Sequence, residues 1–553
     1  MGLVGMISDV SIARAEVSGL PPDRLAARLL AHAMIEQTQV APRPELIERL
    51  IAQAGAAGWA DVQVQLLHCR LLLRSLQGSG EDAVREASDA MISAAQSTAD
   101  EILIGLALAA RALFVTDGRT EEPGDDASDL LARAVAMLDD AMDSEDGDLG
   151  GRAIELPAGY VECGQAFHRL ALWELEEEMY LRAAAALELP LPPEAVGVRD
   201  FTSRVLVINR LEGATALVCA LLEVGQREPA RAVAAAALRP TAAESADLPA
   251  MWVLEIRALE RLLDVIAGAP HLPGGPTALC EQHYADLAGS TWPGYRACLL
   301  LAAAVGHHDR DEFDAAAGLA ERAVALLDDY KPSLLTLALH LAAEPVRGGP
   351  ARRYAQHLAG LRWRTRLAVL GAVRSRLAAA RMLRQGEQLN RRAYVDALTG
   401  LANRHAETRH LARLRRREPR ERLAVVLVDV DHFKAVNDTF GHSVGDDVLR
   451  VFGAILQAAV RSTDLAVRLG GDEFMLLIDL PPGRDVPPIA AEVIRTVTLH
   501  GWEDIAGGLR VGVSAGQAAG PACEVDRLIR SADDNLYRAK AAGRGRAVAA
   551  QTA

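Results

Sequence analysis

"RLAVVLVDVDHFKAVNDTFGHSVGDDVLRVFGAIL", residues 422–456, opens on an apolar run from Leu423 to Val428 and stops at two carboxylates, Asp429 and Asp431. Such a run reads as a central strand buried on both faces. Alternation along it puts Asp429 and Asp431 on one side. Carboxylates at the end of a buried strand are costly unless they meet water or a cation. A second stretch, "RLGGDEFMLL" (468–477), sets two glycines and two acids between apolar flanks. It reads as a hairpin, with the Gly470-Gly471 step supplying the positive φ of a tight turn. Taken alone, Asp472 and Glu473 are as well explained by solubility as by chemistry. If the hairpin lies beside the 423–431 strand, Glu473 and Asp429 share one end of a sheet, and their hard oxygens suit Mg²⁺ near phosphates.

Around these stretches, from residue 393 to 553, strands and helices alternate, an α/β pattern of about 160 residues. Upstream the character differs. Residues 1–345 repeat one unit, an apolar helix, a short polar or glycine-bearing turn and a second helix, as in 62–96, 211–240 and 295–332. "LLARAVAMLDD" (130–140) and "LAERAVALLDD" (319–329) match at eight of eleven positions. Short paired helices that cannot each bury a face alone stack into an α-solenoid. The units resemble tetratricopeptide-type repeats but lack that repeat's strict signature and even period, so an irregular helical bundle is the competing reading. Acidic runs at 121–126 and 139–148 read as solvated loops, because the second lacks the acid spacing and closing Glu of a calcium loop.

Residues 346–392 join the two regions. Ala351 to Arg392 holds eleven arginines and one acid, Glu387. Trp363, Leu367, Leu370, Val373, Leu377, Ala380 and Leu383 recur three or four apart, an apolar stripe on one helix. The expectation is a basic connecting helix that pairs as a coiled coil in a dimer.

Composition narrows the function classes. A formal net charge of -15 argues against a general nucleic-acid binder. Six scattered cysteines, Cys69, Cys163, Cys219, Cys280, Cys298 and Cys523, form no CxxC pair and read as small hydrophobes in a reducing compartment. No basic-then-apolar leader opens the sequence, and no uninterrupted apolar stretch approaches 18 residues. The expectation is a cytoplasmic protein with no transmembrane segment.

"GGDEF" itself, Gly470 to Phe474, together with "DALTGLANR" (396–404), "DVDHFKAVNDTFGHSVGDDVL" (429–449), "RSTDLAVRLGGDEF" (461–474), "VGVSAG" (511–516) and "ADDNLYRAKAAGR" (532–544), resembles the GGDEF family of diguanylate cyclases, in order and spacing. The resemblance covers about residues 390–548. It implies a fold like class III nucleotide cyclases and polymerase palms, and condensation of two GTP into cyclic di-GMP by a homodimer joined through the GGDEF domains and the connecting helix. By motif, Asp429, the Val430 carbonyl and Glu473 would bind Mg²⁺ or Mn²⁺, and Asp472 takes the catalytic position. Asn437 and Asp446 correspond to guanine readers, with His442 close by in the motif. Lys434, Lys540 and Arg544 match phosphate-steadying cations, and Gly470 and Gly471 let the backbone approach the nucleotide. Arg461 and Asp464 match the family's RxxD product-inhibition site. Gly545 departs from the Asn usual there, which puts the local turn in question. The resemblance leaves a competing class, a catalytically silent GTP or cyclic di-GMP receptor or scaffold that signals through the repeats. Either way, the helical region is expected to bind a protein or peptide partner.

Overall fold

The computed structural model describes residues 3–114, 126–144, 149–237, 248, 250–268, 293–327, 332–343, 350–461, 463–481 and 486–551. Most of the 121–126 run, the end of the 139–148 run, the last residues of the 211–240 unit, the boundary at 345 and Cys280 lie outside them. Two compact units divide the chain, Met1–Arg381 and Met382–Ala553.

The first unit is helical throughout its described residues. Helix Ala60–Leu76 turns through Gly78, at φ +62°, into Glu81–Thr98, and Val196–Glu223 turns through Gly225, at φ +75°, into Arg227–Ala236. Pro229 sits in the first turn of that last helix, where a missing N–H costs no hydrogen bond. Pro193–Glu223 is long and apolar enough to cross a membrane by length and composition, alone among the described residues. Yet 61% of its most apolar window is buried within the helical unit, as a core helix requires. Apolar faces close into three successive cores.

The arginine-rich segment forms one helix, Pro350–Tyr394. Its stripe divides: Leu370, Val373 and Leu377 are buried in the core that also holds Leu175, Met179 and Leu206, whereas Leu367 and Leu383 are exposed. The arginines bordering the buried residues find acids on the same unit. Arg374 pairs with Glu178 at 3.0 Å, Arg376 with Asp126, and Arg381 with Asp139 at 2.8 Å. Arg366 is 9% exposed; it donates to the Ala171 carbonyl at 2.8 Å, pairs with Glu174, and lies against the Trp173 and Trp363 rings. The basic face therefore serves intramolecular docking.

The second unit is built on a five-stranded mixed sheet ordered β2-β3-β1-β4-β5, with β1 Arg422–Asp431, β2 Leu465–Gly470, β3 Glu473–Leu480, β4 Gly512–Pro521 and β5 Ala547–Gln551. β1 is antiparallel to both β3 and β4, and β5 alone runs parallel to its neighbour. Ala424, Val426 and Val428 enter one core; Leu423, Val425 and Leu427 enter the other. Both faces of β1 are covered, as its unbroken apolar run requires. This is the palm-like cyclase fold.

Candidate active site at the end of the central strand

Register makes the site. Asp429 of β1 is paired directly with Glu473 of β3, so the strand-end carboxylate and the hairpin-tip carboxylate are cross-strand neighbours. Phe474, fully buried and edge-on to Phe452 at 4.8 Å, anchors the hairpin from below. The turn differs from the sequence expectation. Gly470 is the last residue of β2, opposite Glu473, and the two-residue loop is Gly471-Asp472. A register shift between Arg468 and Gly470 produces this offset. Gly470 at φ +152° and Gly471 at φ +54° adopt backbone conformations that only glycine takes readily, and open space surrounds both.

Asp429 and Asp431 lie on one face of β1, as alternation predicts, and each has a distinct partner. Lys540 Nζ stands 2.7 Å from Asp429 Oδ2. Burial pushes the Asp429 carboxyl above the usual carboxylate range; Lys540 works against this, and the charges of Asp472 and Asp431 reinforce it. Three acids in one field require positive charge, and Lys540 supplies one. It projects from helix Val525–Ala541, which lies so close to β4 that a Cβ on Gly516 would strike the Ala532 carbonyl and the Leu536 amide. Buried Asn535 fixes that approach by donating to the Gln517 carbonyl at 2.8 Å.

Asp431 holds the turn after that helix. It accepts Ser514 Oγ at 2.7 Å and the Gly545 amide at 3.0 Å. Gly543, Arg544 and Gly545 all have positive φ, +108°, +62° and +61°. Gly545 therefore suits a left-handed turn, which Asn also tolerates, and Asp431 secures it.

Beyond β1, His432 at φ +56° turns the chain into helix Phe433–Phe440, and Gly441 at φ +89° turns it into His442–Ala458. Asn437 Oδ1 fills the space where Gly445 lacks a Cβ, which sets Asn437 beside the turn carrying exposed Asp446. Lys434 and His442 are exposed on these helices. At the other end of β2, Asp464 accepts the Arg461 amide and the Asp479 amide, both at 3.0 Å. Its carboxylate pins the loop, while the Arg461 residue is exposed.

Sequence reading passed over Asp396 and Arg468. Arg468 donates through Nε and Nη2 to the Gly471 carbonyl, at 3.1 and 2.9 Å, and through Nη1 to Asp396 Oδ1 at 3.0 Å. Thr399 donates to the same Asp396 oxygen from its amide and hydroxyl, at 3.0 and 2.8 Å. One guanidinium thus ties the glycine turn to the 396–402 loop, itself bridged to β2 at Ala402 and Val467. The signal was in the sequence, an Arg two residues before the glycines.

Among the described residues no three His, Cys, Asp or Glu side chains form a ready-made metal cluster. The donors that the resemblance implies, the Asp429 and Glu473 carboxylates and the Val430 carbonyl, are all oxygen, and the crowding of acids around Asp429 favours a divalent cation. That all-oxygen set would suit Mg²⁺ or Mn²⁺.

The palm-type sheet thus carries acids at the end of its central strand with a lysine beside them. Comparison with known proteins gives the family. Residues 393–546 match the family model described as diguanylate cyclase, GGDEF domain, and this part of the chain is a GGDEF domain. The chain is 34% identical over 165 residues to diguanylate cyclase DgcS of Shewanella oneidensis, covering 29% of this chain and 54% of that protein. It is 38% identical over 164 residues to response regulator PleD of Caulobacter vibrioides, covering 28% and 36%. It thus spans less than two thirds of either relative. Among solved structures, the coiled coil and GGDEF domain of DgcB from Caulobacter crescentus, in complex with c-di-GMP, is 29% identical, with a TM-score of 0.29 over 34% of this chain and 99% of that one.

Proposed function

We propose that the protein is a diguanylate cyclase that condenses two GTP into cyclic di-GMP. Each 3′-oxygen forms a bond to the α-phosphorus of the other nucleotide, each α–β phosphoanhydride bond breaks, and two pyrophosphates leave. The observation that carries this reading is the Asp429–Glu473 register with Lys540 on Asp429. Asp429, the Val430 carbonyl and Glu473 hold Mg²⁺ or Mn²⁺, which when bound supplies charge neutralisation for the triphosphate. Lys540, Arg544 and Lys434 steady the phosphates. Asn437 and Asp446 read the guanine edge, since a carboxylate accepts from N1–H and the 2-amino group together, and His442 lines the same approach. Asp472 receives the 3′-hydroxyl proton. Gly470 and Gly471 keep the hairpin bare, so a nucleotide can meet backbone.

Each domain holds one GTP, so the working unit is a homodimer, and GTP supply places it in the cytoplasm. The helical region acts as a tetratricopeptide-like input module for a protein or peptide partner. Arg461, with Asp464 shaping its loop, receives cyclic di-GMP as feedback. Purified protein incubated with Mg²⁺ and GTP should yield a product with the mass of cyclic di-GMP, and Glu473→Gln should abolish it. Binding of GTP without turnover by the parent chain would overturn the enzyme reading.

A further inference from the structure

Four elements of the helical unit border a cavity of about 380 Å³: the end of helix Val196–Glu223, the end of helix Pro293–His308, helix Pro332–Ala342 and the first turns of Pro350–Tyr394. That volume lies in the range that holds small organic ligands. Leu222 and the buried Val305, Leu337 and Leu341 supply apolar wall. Polar groups converge on the same space, Arg227, Arg352, His308 and His340 with the acids Glu223 and Asp309. Gly360 lines it without a side chain. A Cβ there would meet only Arg364 Nη1, at 3.5 Å, so neither a close neighbour nor a positive φ calls for glycine. A glycine inside a helix costs about 1 kcal/mol relative to alanine; what it leaves here is room.

We propose that this cavity binds a small organic anion, a carboxylate or phosphate head on an apolar body. The two acids in the wall do not cancel its cations. Glu223 accepts from Thr336 and faces Arg362 at 3.5 Å, and neither of these partners lines the cavity. Burial outweighs both and holds the Glu223 carboxyl above the usual carboxylate range, which trims its negative charge. Asp309 is shared loosely between Arg227 at 3.5 Å and Arg231 at 3.7 Å; Arg231 also pairs with exposed Glu228 at 2.9 Å. Arg227 Nη2 donates to His308 Nδ1 at 2.7 Å. A guanidinium cannot accept, so Nδ1 takes the bond and Nε2 carries the ring N–H. Two guanidiniums and this imidazole thus bring donors to the cavity, and a guanidinium fork suits carboxylate and phosphate alike. Helix C-termini would favour a cation instead, but their carbonyls are engaged. Leu221 and Leu222 accept the Gln226 and Gly225 amides at 2.8 and 3.0 Å; Val305 and His307 accept the Asp309 and Arg310 amides at 2.9 and 3.0 Å. The site lies wholly within the first unit. It adds a small-molecule input to a region proposed above to take a protein or peptide partner, and it does not depend on the cyclase reading.

Calorimetry on the full chain without nucleotide tests this with three probes that share a phenyl body: phenyl phosphate, 3-phenylpropionate and 2-phenylethylamine. At least one of the two anions should bind at one site per chain with a dissociation constant below about 1 mM, and the tighter of the two names the head group. The amine should not bind. Gly360→Leu should fill the cavity and abolish anion binding with no loss of melting temperature, because leucine is the better helix former. Gly318→Leu makes the same change at an exposed position of helix Phe313–Val324, outside the cavity lining, and should leave binding unchanged. Arg227→Gln and Arg352→Gln should each weaken the anion about 10-fold or more, the worth of a hydrogen bond to a charged group. Anion binding that survives Gly360→Leu belongs to another site and would overturn the assignment. So would silence from both anions, or an amine that binds as tightly as they do. None of these measurements reads turnover, so failure of this site and failure of the cyclase reading remain distinguishable.

Discussion

At the scale of single residues, Gly445 separates binding from stability. A Cβ there would collide with Asn437 Oδ1, so Gly445→Ala displaces Asn437 from its present position. Alanine is also the better helix former by about 1 kcal/mol. GTP turnover should therefore show KM raised about 3- to 10-fold, the worth of a lost hydrogen bond, with no drop in melting temperature. A lower melting temperature with KM unchanged would show that Asn437 does not read the base. Arg468 gives the complementary case, since it touches the turn carbonyl and Asp396 rather than any predicted ligand. Arg468→Gln frees the Gly471 carbonyl, and kcat should fall roughly 10-fold or more, as small misplacements of reacting groups do. GTP binding measured by calorimetry should change much less.

At the scale of elements, magnitude decides which charged contacts hold the helical unit together. Glu155 is fully buried where helix Leu149–Arg169 meets Arg24–Val40 and Ala60–Leu76; Arg28 Nε lies at 2.7 Å, His32 Nε2 at 3.1 Å, and Gln65 donates to it. Burial alone raises its pKa, but His32 and Arg28 outweigh that and bring the carboxyl to about 2. The depressed value means that the stabilisation is complete above the unfolded pKa, near 4.5, and fades as pH falls toward about 2. Acid titration of the parent chain should show that loss in this window, of about 3 kcal/mol, and Glu155→Gln should flatten it. On the long helix, Arg366→Ala removes a nearly buried guanidinium and two ring contacts and should cost about 2–4 kcal/mol. Arg374→Ala breaks a half-exposed pair with Glu178 and should cost under about 1 kcal/mol. Denaturant melts of the two variants give the comparison. The sequence showed a helix with an apolar stripe, because spacing alone reveals that. It did not show that Leu370, Val373 and Leu377 are buried in the helical unit's own core, because periodicity does not name the surface a face meets. The central strand was legible for the opposite reason: an apolar run on both faces has one home, and its terminal acids mark the end of the sheet where Asp429 meets Glu473. The Arg468–Asp396 tie was hidden because it joins residues 72 apart through a register that no local pattern encodes.

At the scale of the whole molecule, the boundary between units dictates how the chain can be divided. A cut before residue 350 keeps the long helix but strips away the core that buries Leu370, Val373 and Leu377, with Trp363 packed against another core of the same unit. Residues 350–553 should then expose Trp363, Leu370, Val373 and Leu377 and self-associate, visible as a sedimentation coefficient that climbs with concentration. A cut at Met382 follows the edge of the second compact unit and leaves its two cores whole. Residues 382–553 should be a folded monomer that binds GTP. Under the proposed function two such monomers must meet by diffusion, whereas chains paired before turnover would be held at an effective concentration that raises encounter about 10²-fold or more. At nanomolar enzyme, turnover per chain should therefore fall by about that factor relative to the full chain and recover in proportion to enzyme concentration. Turnover of residues 382–553 that stays first order and equal to that of the full chain would mean that the helix contributes nothing to the encounter. The helical unit would then have to act on the catalytic domain by a route other than bringing two copies together.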